Sequence, residues 1–116
     1  MSTNQRGTNF KYGLEIGDKS IRSNISLITA LVVFAITLSP VAVAANTTAE
    51  QTFTVNGISA TDLILDVIKP TAQAGLGIVG CRVSAANQAA ITFSNNTAGV
   101  ITPTAAEVYK IILIGQ

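Results

Sequence analysis

The stretch ISLITALVVFAITLSPVAVAAN, residues 25–46, decides the fold. Three different structures fit it, and the choice between them determines the fold class of the chain. The stretch belongs to an uncharged run of about 27 residues between Arg22 and Glu50, longer than the roughly 20 residues that a membrane helix needs. Arg22 before it and Ala42-Val43-Ala44 near its end also resemble the flanks of a secretory signal peptide. The third interpretation is a β-strand.

The interior of this stretch favours the strand. Half of residues 25–38 are β-branched, which suits strands and costs rotamer freedom in helices, and leucine occurs there only three times. A signal peptide would also need an unusually long leading segment that contains two acids, Glu15 and Asp18. Both faces of the alternating pattern are mostly apolar, as in a strand buried on both sides, and Pro40 ends it. We predict a strand over residues 25–38, with the signal peptide and the membrane helix as alternatives.

The rest of the chain contains further alternating segments separated by turn residues. They cover residues 51–56, 62–68, 78–84, 88–94 and 107–114, and Asn56-Gly57 is the strongest turn signal between them. No long segment carries the 3.6-residue apolar period and the capping residues of a helix. These features predict an all-β fold over residues 25–116, a small β-sandwich or barrel of about six to seven strands.

The alternation also predicts which side chains share a face in three of these strands. The expected sets are Leu63, Leu65 and Val67; Val79, Cys81 and Val83; and Tyr109, Ile111 and Leu113. Cys81 lies among apolar neighbours in this pattern. We therefore expect a buried, inert thiol rather than a reactive one.

Residues 1–24 differ from the rest and predict an extended N-terminal arm. The segment is polar, is interrupted by glycines and holds six of the thirteen charges of the chain. Apolar side chains nevertheless fall at alternate positions of it: Phe10, Tyr12, Leu14 and Ile16. This period of two is typical of a short strand or an arm that becomes ordered against a partner.

The composition excludes several classes of function. The chain has no histidine and a single cysteine, so it offers neither a histidine-dependent catalytic triad nor a zinc site. A net charge of +1 gives no basic stripe for nucleic acid. Residues 75–80 match G-x-G-x-x-G, but a strand rather than a helix follows them, which indicates a glycine loop between strands. We expect no enzyme activity, no cofactor or metal, and no small-molecule substrate.

The balance of apolar and charged residues points instead to a covered surface. Hydrophobic residues make up 48% of the chain and charged residues 11%. An ordinary soluble domain has about 25% charged residues. A membrane or a large protein interface is therefore expected to cover part of this protein.

Four runs between residues 43 and 111 form a recognisable set: ANTTAEQTFTVNGI, KPTAQAGLGIVGCRVSAAN, ITFSNNTA and ITPTAAEVY. Through them, this part of the chain resembles small virion proteins of tailed bacteriophages. The resemblance is most specific over residues 69–87, where Cys81 replaces the alanine of such sequences. It implies a β-rich structural protein on the capsid surface of the virion, a decoration or cement protein that stabilises the phage head. The implied partners are the major capsid protein and copies of the chain itself, with a homotrimer as the first expectation, and no membrane.

Within this interpretation, the N-terminal arm is expected to make the capsid contact. Its alternate apolar side chains are expected to add a strand to a neighbouring subunit, and its basic side chains to set the register. The partner-binding residues predicted in this way are Arg6, Phe10, Lys11, Tyr12, Leu14, Ile16 and Arg22. The alternatives are a phage tail, fibre or head-fibre component, and a secreted or membrane-anchored β-domain with residues 25–45 as signal or anchor.

Overall fold

The computed structural model describes residues 27–115, which form six β-strands and no helix. The strands are β1 (Ala30–Leu38), β2 (Thr47–Thr54), β3 (Leu63–Ile68), β4 (Leu76–Ala85), β5 (Gln88–Asn95) and β6 (Glu107–Gly115). The predicted all-β fold is therefore confirmed, and each predicted strand overlaps one of the six. β1 begins five residues later than predicted and β2 four residues earlier, whereas the ends of the other four strands agree to within two residues. The arm predicted for residues 1–24 lies outside the described residues.

The strands form two three-stranded sheets that pack as a small β-sandwich. One sheet has the order β1-β6-β3 and the other the order β2-β5-β4, with antiparallel pairing throughout. β4 and β5 form a hairpin through Ala86-Asn87, whereas the other connections cross from one sheet to the other. The last two strands of the chain, β5 and β6, are thus the centres of the two sheets.

Four strands begin directly after a residue in the left-handed backbone region. Asn46, Gly75, Asn87 and Ala106 have φ angles of 53°, 82°, 60° and 57°, and they precede β2, β4, β5 and β6. Asparagine and glycine adopt this region at low cost, whereas an alanine there costs roughly 1–2 kcal/mol. The sequence Ala-Ala-Asn occurs before both β2 and β5, and in each case the asparagine adopts this region.

The core lies between the sheets and is built mainly from the two central strands. Its largest fully buried side chains include Ile91 and Phe93 of β5 and Tyr109 and Ile111 of β6. Burying one such aliphatic side chain stabilises a fold by about 1.5–3 kcal/mol. The predicted set of Tyr109, Ile111 and Leu113 is buried, so this prediction is confirmed.

In β3 and β4, bulges make the predicted assignment of side chains to one face partly wrong. A register shift between Ile64 and Asp66 moves Val67 and Ile64 to the core side of β3 and leaves Leu63 exposed on the other side. A second shift between Ile78 and Gly80 leaves Val79 exposed, while Cys81 and Val83 pack against the core as predicted. One extra residue in a strand interrupts the alternation of period two, so a prediction that assumes a regular strand fails beyond it.

Residues 30–38 of the apolar stretch form β1, which is buried only on its core side and only in its second half. The strand prediction is confirmed for Ala30–Leu38, where every residue pairs with β6. Burial on both faces is wrong for the single chain, because Leu31 and Val33 are 66% and 61% exposed. Between residues 27 and 115, no helix long and apolar enough to span a bilayer is present.

Candidate interaction surface

The partner-binding residues predicted from the sequence all precede the described part of the chain. Arg6, Phe10, Lys11, Tyr12, Leu14, Ile16 and Arg22 lie within residues 1–26, so their role as a capsid-contacting arm stays a prediction. The described residues present a different candidate, on the outside of the β1-β6-β3 sheet.

The side of this sheet that points away from the core is mainly apolar and exposed. The register of β1, β6 and β3 assigns these residues to it: Leu31, Val33, Ala35, Thr37, Val108, Lys110, Ile112, Ile114, Leu63, Asp66 and Ile68. We call this set the outer apolar face. Leu31, Val33 and Leu63 are each more than half exposed, and Ile68 and Val108 only slightly less.

The strand register arranges these side chains in rows across the sheet. Leu31 of β1 and Leu63 of β3 both pair with Ile114 of β6, so one row is entirely apolar. In the next row, Val33 and Asp66 both pair with Ile112. Side chains opposite one another on one face lie about 4.5–5.5 Å apart, so these rows form a continuous surface rather than scattered apolar residues.

Two charges lie within the outer apolar face, one of each sign. Lys110 is central on β6 and is exposed. Asp66 is exposed on β3, and its Oδ1 accepts a hydrogen bond from the backbone N–H of Val67 at 2.8 Å. Within residues 27–115, neither side chain takes part in an ion pair. The face therefore carries an unbonded cation and an anion with free acceptor capacity, with no net charge.

The outside of the other sheet has the opposite character. The register of β2, β5 and β4 places these residues there: Thr48, Glu50, Thr52, Thr54, Gln88, Ala90, Thr92, Ser94, Gly77, Gly80 and Arg82. Arg82 donates two hydrogen bonds to Glu50, at 2.9 and 3.0 Å, and this ion pair spans the central strand β5. These hydrogen bonds lower the pKa of Glu50. This second face is suited to water, so the apolar character of the first is not a general property of the chain.

A polar cluster of Lys69, Thr71 and Glu107 joins the end of β3 to the start of β6. Lys69 Nζ lies 3.0 Å from Glu107 Oε1 and donates a hydrogen bond to the Thr71 carbonyl oxygen at 2.7 Å. The Thr71 hydroxyl donates to Glu107 Oε2. That hydrogen bond, followed by the Lys69 ammonium, lowers the pKa of Glu107. The carboxylate is therefore held ionised at neutral pH.

Tyr109 lies near this cluster, and its hydroxyl is buried without a hydrogen-bond partner among the described residues. Burial, and secondarily the charge of Glu107, raises the pKa of Tyr109 to about 12. General acid–base catalysis works best when a pKa lies near the operating pH. A Glu107 carboxyl with a lowered pKa and a Tyr109 hydroxyl with a pKa of about 12 suit a structural role better than proton transfer at neutral pH.

Cys81 packs against the core from β4 and is half-buried. Burial, followed by the nearby charge of Asp66, raises the pKa of Cys81. A raised pKa reduces the thiolate fraction at neutral pH. The burial expected from the sequence is only partial, and the inertness of the thiol stays a prediction. Within residues 27–115, no three histidine, cysteine, aspartate or glutamate side chains are close enough to hold a metal ion.

Asn95, at the end of β5, is a buried polar residue with a structural role. It is 1% exposed, and its Nδ2 donates to the carbonyl oxygens of Val43 and Gly99 at 3.0 and 2.8 Å. Its Oδ1 accepts hydrogen bonds from the Thr97 N–H and hydroxyl at 2.9 and 2.7 Å. Asn95 thus ties the loop after β5 to the connection between β1 and β2.

Comparisons with protein-family models, with curated proteins and with solved structures gave no match for this chain. The function therefore has to be inferred from the sequence and from the surfaces described above.

Proposed function

We propose that the protein is a structural component of a bacteriophage virion, a capsid decoration protein that binds the outer surface of the head. The observation that carries this proposal is the outer apolar face, since a surface of this kind on a small β-sandwich is suited to an assembly. The resemblance of residues 43–111 to phage virion proteins indicates that this assembly is a phage particle. The Lys69–Thr71–Glu107 cluster and the buried amide of Asn95 make structural contacts, which favours an interaction protein over an enzyme.

The mechanism of stabilisation is mass action. A protein that binds the assembled shell, and not its separate subunits, shifts the equilibrium towards the shell. The N-terminal arm makes the capsid contact in this proposal, through Phe10, Tyr12, Leu14 and Ile16 as an added strand. The β-sandwich remains outside the shell as a symmetric oligomer, with a trimer expected first because capsids offer threefold positions.

The test is binding of the purified protein to phage heads that lack it. We expect the full-length chain to saturate the heads with many copies and to delay their rupture on heating. Replacing Phe10 and Tyr12 with serine is expected to abolish binding, whereas replacing Thr8 with serine and Asn9 with glutamine in the same segment leaves it intact.

Two results would contradict the proposal. Full occupancy by the Phe10/Tyr12 variant would exclude the arm as the capsid contact. A stoichiometry of only a few copies per particle, located at the tail, would replace decoration with the alternative of a tail or fibre component.

A further inference from the structure

We infer that the outer apolar face is the surface through which copies of this chain contact one another in a closed homo-oligomer. The inference rests on the proposed function only in treating the chain as one subunit of an assembly. In this oligomer, the outer apolar face of one copy packs against the outer apolar face of another.

The exposed area is the first argument. Leu31, Val33 and Leu63 are 66%, 61% and 51% exposed, and Ile68 and Val108 are 45% and 48% exposed. Together with half-buried Ile112 and Ile114, they form one contiguous patch of apolar side chains, and large patches of this kind mark interaction sites on soluble proteins. A standard protein interface buries about 800 Å² on each partner, so the apolar face forms the centre of the contact and its rim supplies further area.

The charges within the face are the second argument. Lys110 and Asp66 give it one cation and one anion, on neighbouring strands and one row apart. A face with both signs is complementary to itself, because the lysine of one copy meets the aspartate of the next when the copies are related by a rotation axis. A strongly charged partner would instead meet one favourable and one repelling group.

The contrast between the two sheets is the third argument. The outside of β2-β5-β4 carries threonines, serine, glutamine and the Glu50–Arg82 ion pair, as a water-exposed surface does. The outer faces of the two sheets thus differ in polarity, although they belong to one small domain. The outside of the β1-β6-β3 sheet is therefore the surface that a partner covers, and the outside of the β2-β5-β4 sheet remains in solvent.

The test measures the mass of the full-length protein in solution by sedimentation and by light scattering, without any capsid. We expect a dimer or a trimer. Val33→Glu places a charge in the contact, and an uncompensated buried charge weakens association by roughly 100-fold or more. The matched control is Thr54→Glu, at an exposed position on the outside of the other sheet, which leaves the oligomer intact.

Leu31→Glu serves as a second disruptive variant, and far-ultraviolet circular dichroism checks that each variant keeps its strands. The pairing of Asp66 with Lys110 between copies is tested by exchanging the two charges. Asp66→Lys and Lys110→Asp each weaken association, and the double exchange restores it because the face again carries one charge of each sign. Failure of the double exchange to restore association would refute the pairing of charges between copies.

Three results would overturn the inference as a whole. One is a full-length protein that stays monomeric at high concentration, which would leave the face to residues 1–24 of its own chain or to another protein. Another is an oligomer that survives both Val33→Glu and Leu31→Glu. The third is an oligomer that Thr54→Glu breaks equally well. Because no capsid is present, these results are independent of whether the protein binds a phage head.

Discussion

Replacing Asn95 with aspartate is expected to destabilise the domain strongly, although the two side chains have nearly the same shape. The amide of Asn95 uses two donors and an acceptor: it donates to the carbonyl oxygens of Val43 and Gly99 and accepts twice from Thr97. An ionised aspartate has no donor. It keeps the contacts to Thr97 but turns a negative oxygen towards two carbonyl oxygens.

The magnitude follows from placing an ionised carboxylate at a site that is 1% exposed and faces two carbonyl oxygens. The Val43 oxygen still accepts from the Ile101 N–H at 3.1 Å, and the Gly99 oxygen lies 2.9 Å from the Thr97 hydroxyl. The cost therefore comes from two lost hydrogen bonds, each worth about 1 kcal/mol, and from the repulsion between the buried charge and the carbonyl oxygens. We expect a loss of about 2–5 kcal/mol in the free energy of unfolding at neutral pH. A domain of this size is stable by about 5–15 kcal/mol in all, so the loss is a large fraction of it.

Urea unfolding followed by circular dichroism measures this loss, and its pH dependence identifies the cause. Burial raises the folded-state pKa of the new carboxyl above its unfolded value of about 3.9. The deficit of the Asn95→Asp variant therefore grows as the pH rises above this value and shrinks below it, where the protonated carboxyl donates one hydrogen bond. Asn96→Asp, at the exposed neighbouring position, is the control and is expected to change stability by no more than about 0.5 kcal/mol. A cost below about 1 kcal/mol for Asn95→Asp at neutral pH would refute the proposed role of the amide.

Three further predictions concern single positions. Gly75→Ala is expected to destabilise the domain in thermal unfolding, because the residue has a φ of 82° and a Cβ there would overlap a threonine side chain, whereas Gly77→Ala meets no atom within 4 Å and serves as the tolerated control. Tyr109→Phe is expected to leave stability unchanged or raise it by about 1 kcal/mol, since it removes a buried hydroxyl without a partner. Because the folded-state pKa of Tyr109 is about 12 and the unfolded one about 10, the wild type loses stability as the pH rises from about 10 to 12, and a Tyr109→Phe variant with the same alkaline loss would contradict this. Thr71→Val removes the hydrogen bond that most lowers the pKa of Glu107, so acid unfolding, which sets in as the pH falls below about 4.3, is expected to begin at a higher pH, and an unchanged acid midpoint would count against this contact.

The sequence predicted the strands well because their signals are local. Alternation, β-branched residues and turn residues mark each strand within a window of ten residues. The observed ends of β3 to β6 lie within two residues of the predicted ones, whereas the starts of β1 and β2 differ by five and four residues. The turn at Asn56-Gly57 forms, with Gly57 at a φ of 104°. The pairing order of the strands was beyond such signals, because it depends on contacts between residues far apart in the chain.

The bulges and the role of Asn95 were not predictable from the same signals. The bulge between Ile64 and Asp66 lies inside an apolar run, where one extra residue leaves the composition unchanged but puts Leu63 and Val67 on opposite faces of the strand. Asn95 occurs in the polar sequence Ser-Asn-Asn-Thr, which is typical of an exposed turn. Its burial follows from the connection between β1 and β2, which supplies the Val43 carbonyl and lies 52 residues away.

The position of β1 in its sheet explains why its sequence is apolar on both faces. Its sequence is apolar on both faces, which predicts burial on both sides, yet the single chain buries only the side that packs on the core. β6, at the centre of the same sheet, likewise combines a fully buried face with Val108, Ile112 and Ile114 on the other. In contrast, β2 has alternate threonines facing water. Strands that are apolar on both faces thus occur in the β1-β6-β3 sheet, which has one face on the core and the other exposed. If copies of the chain meet there, β1 is buried on both sides in the oligomer, and both the apolar composition of residues 25–38 and the low charge of the protein follow from one contact.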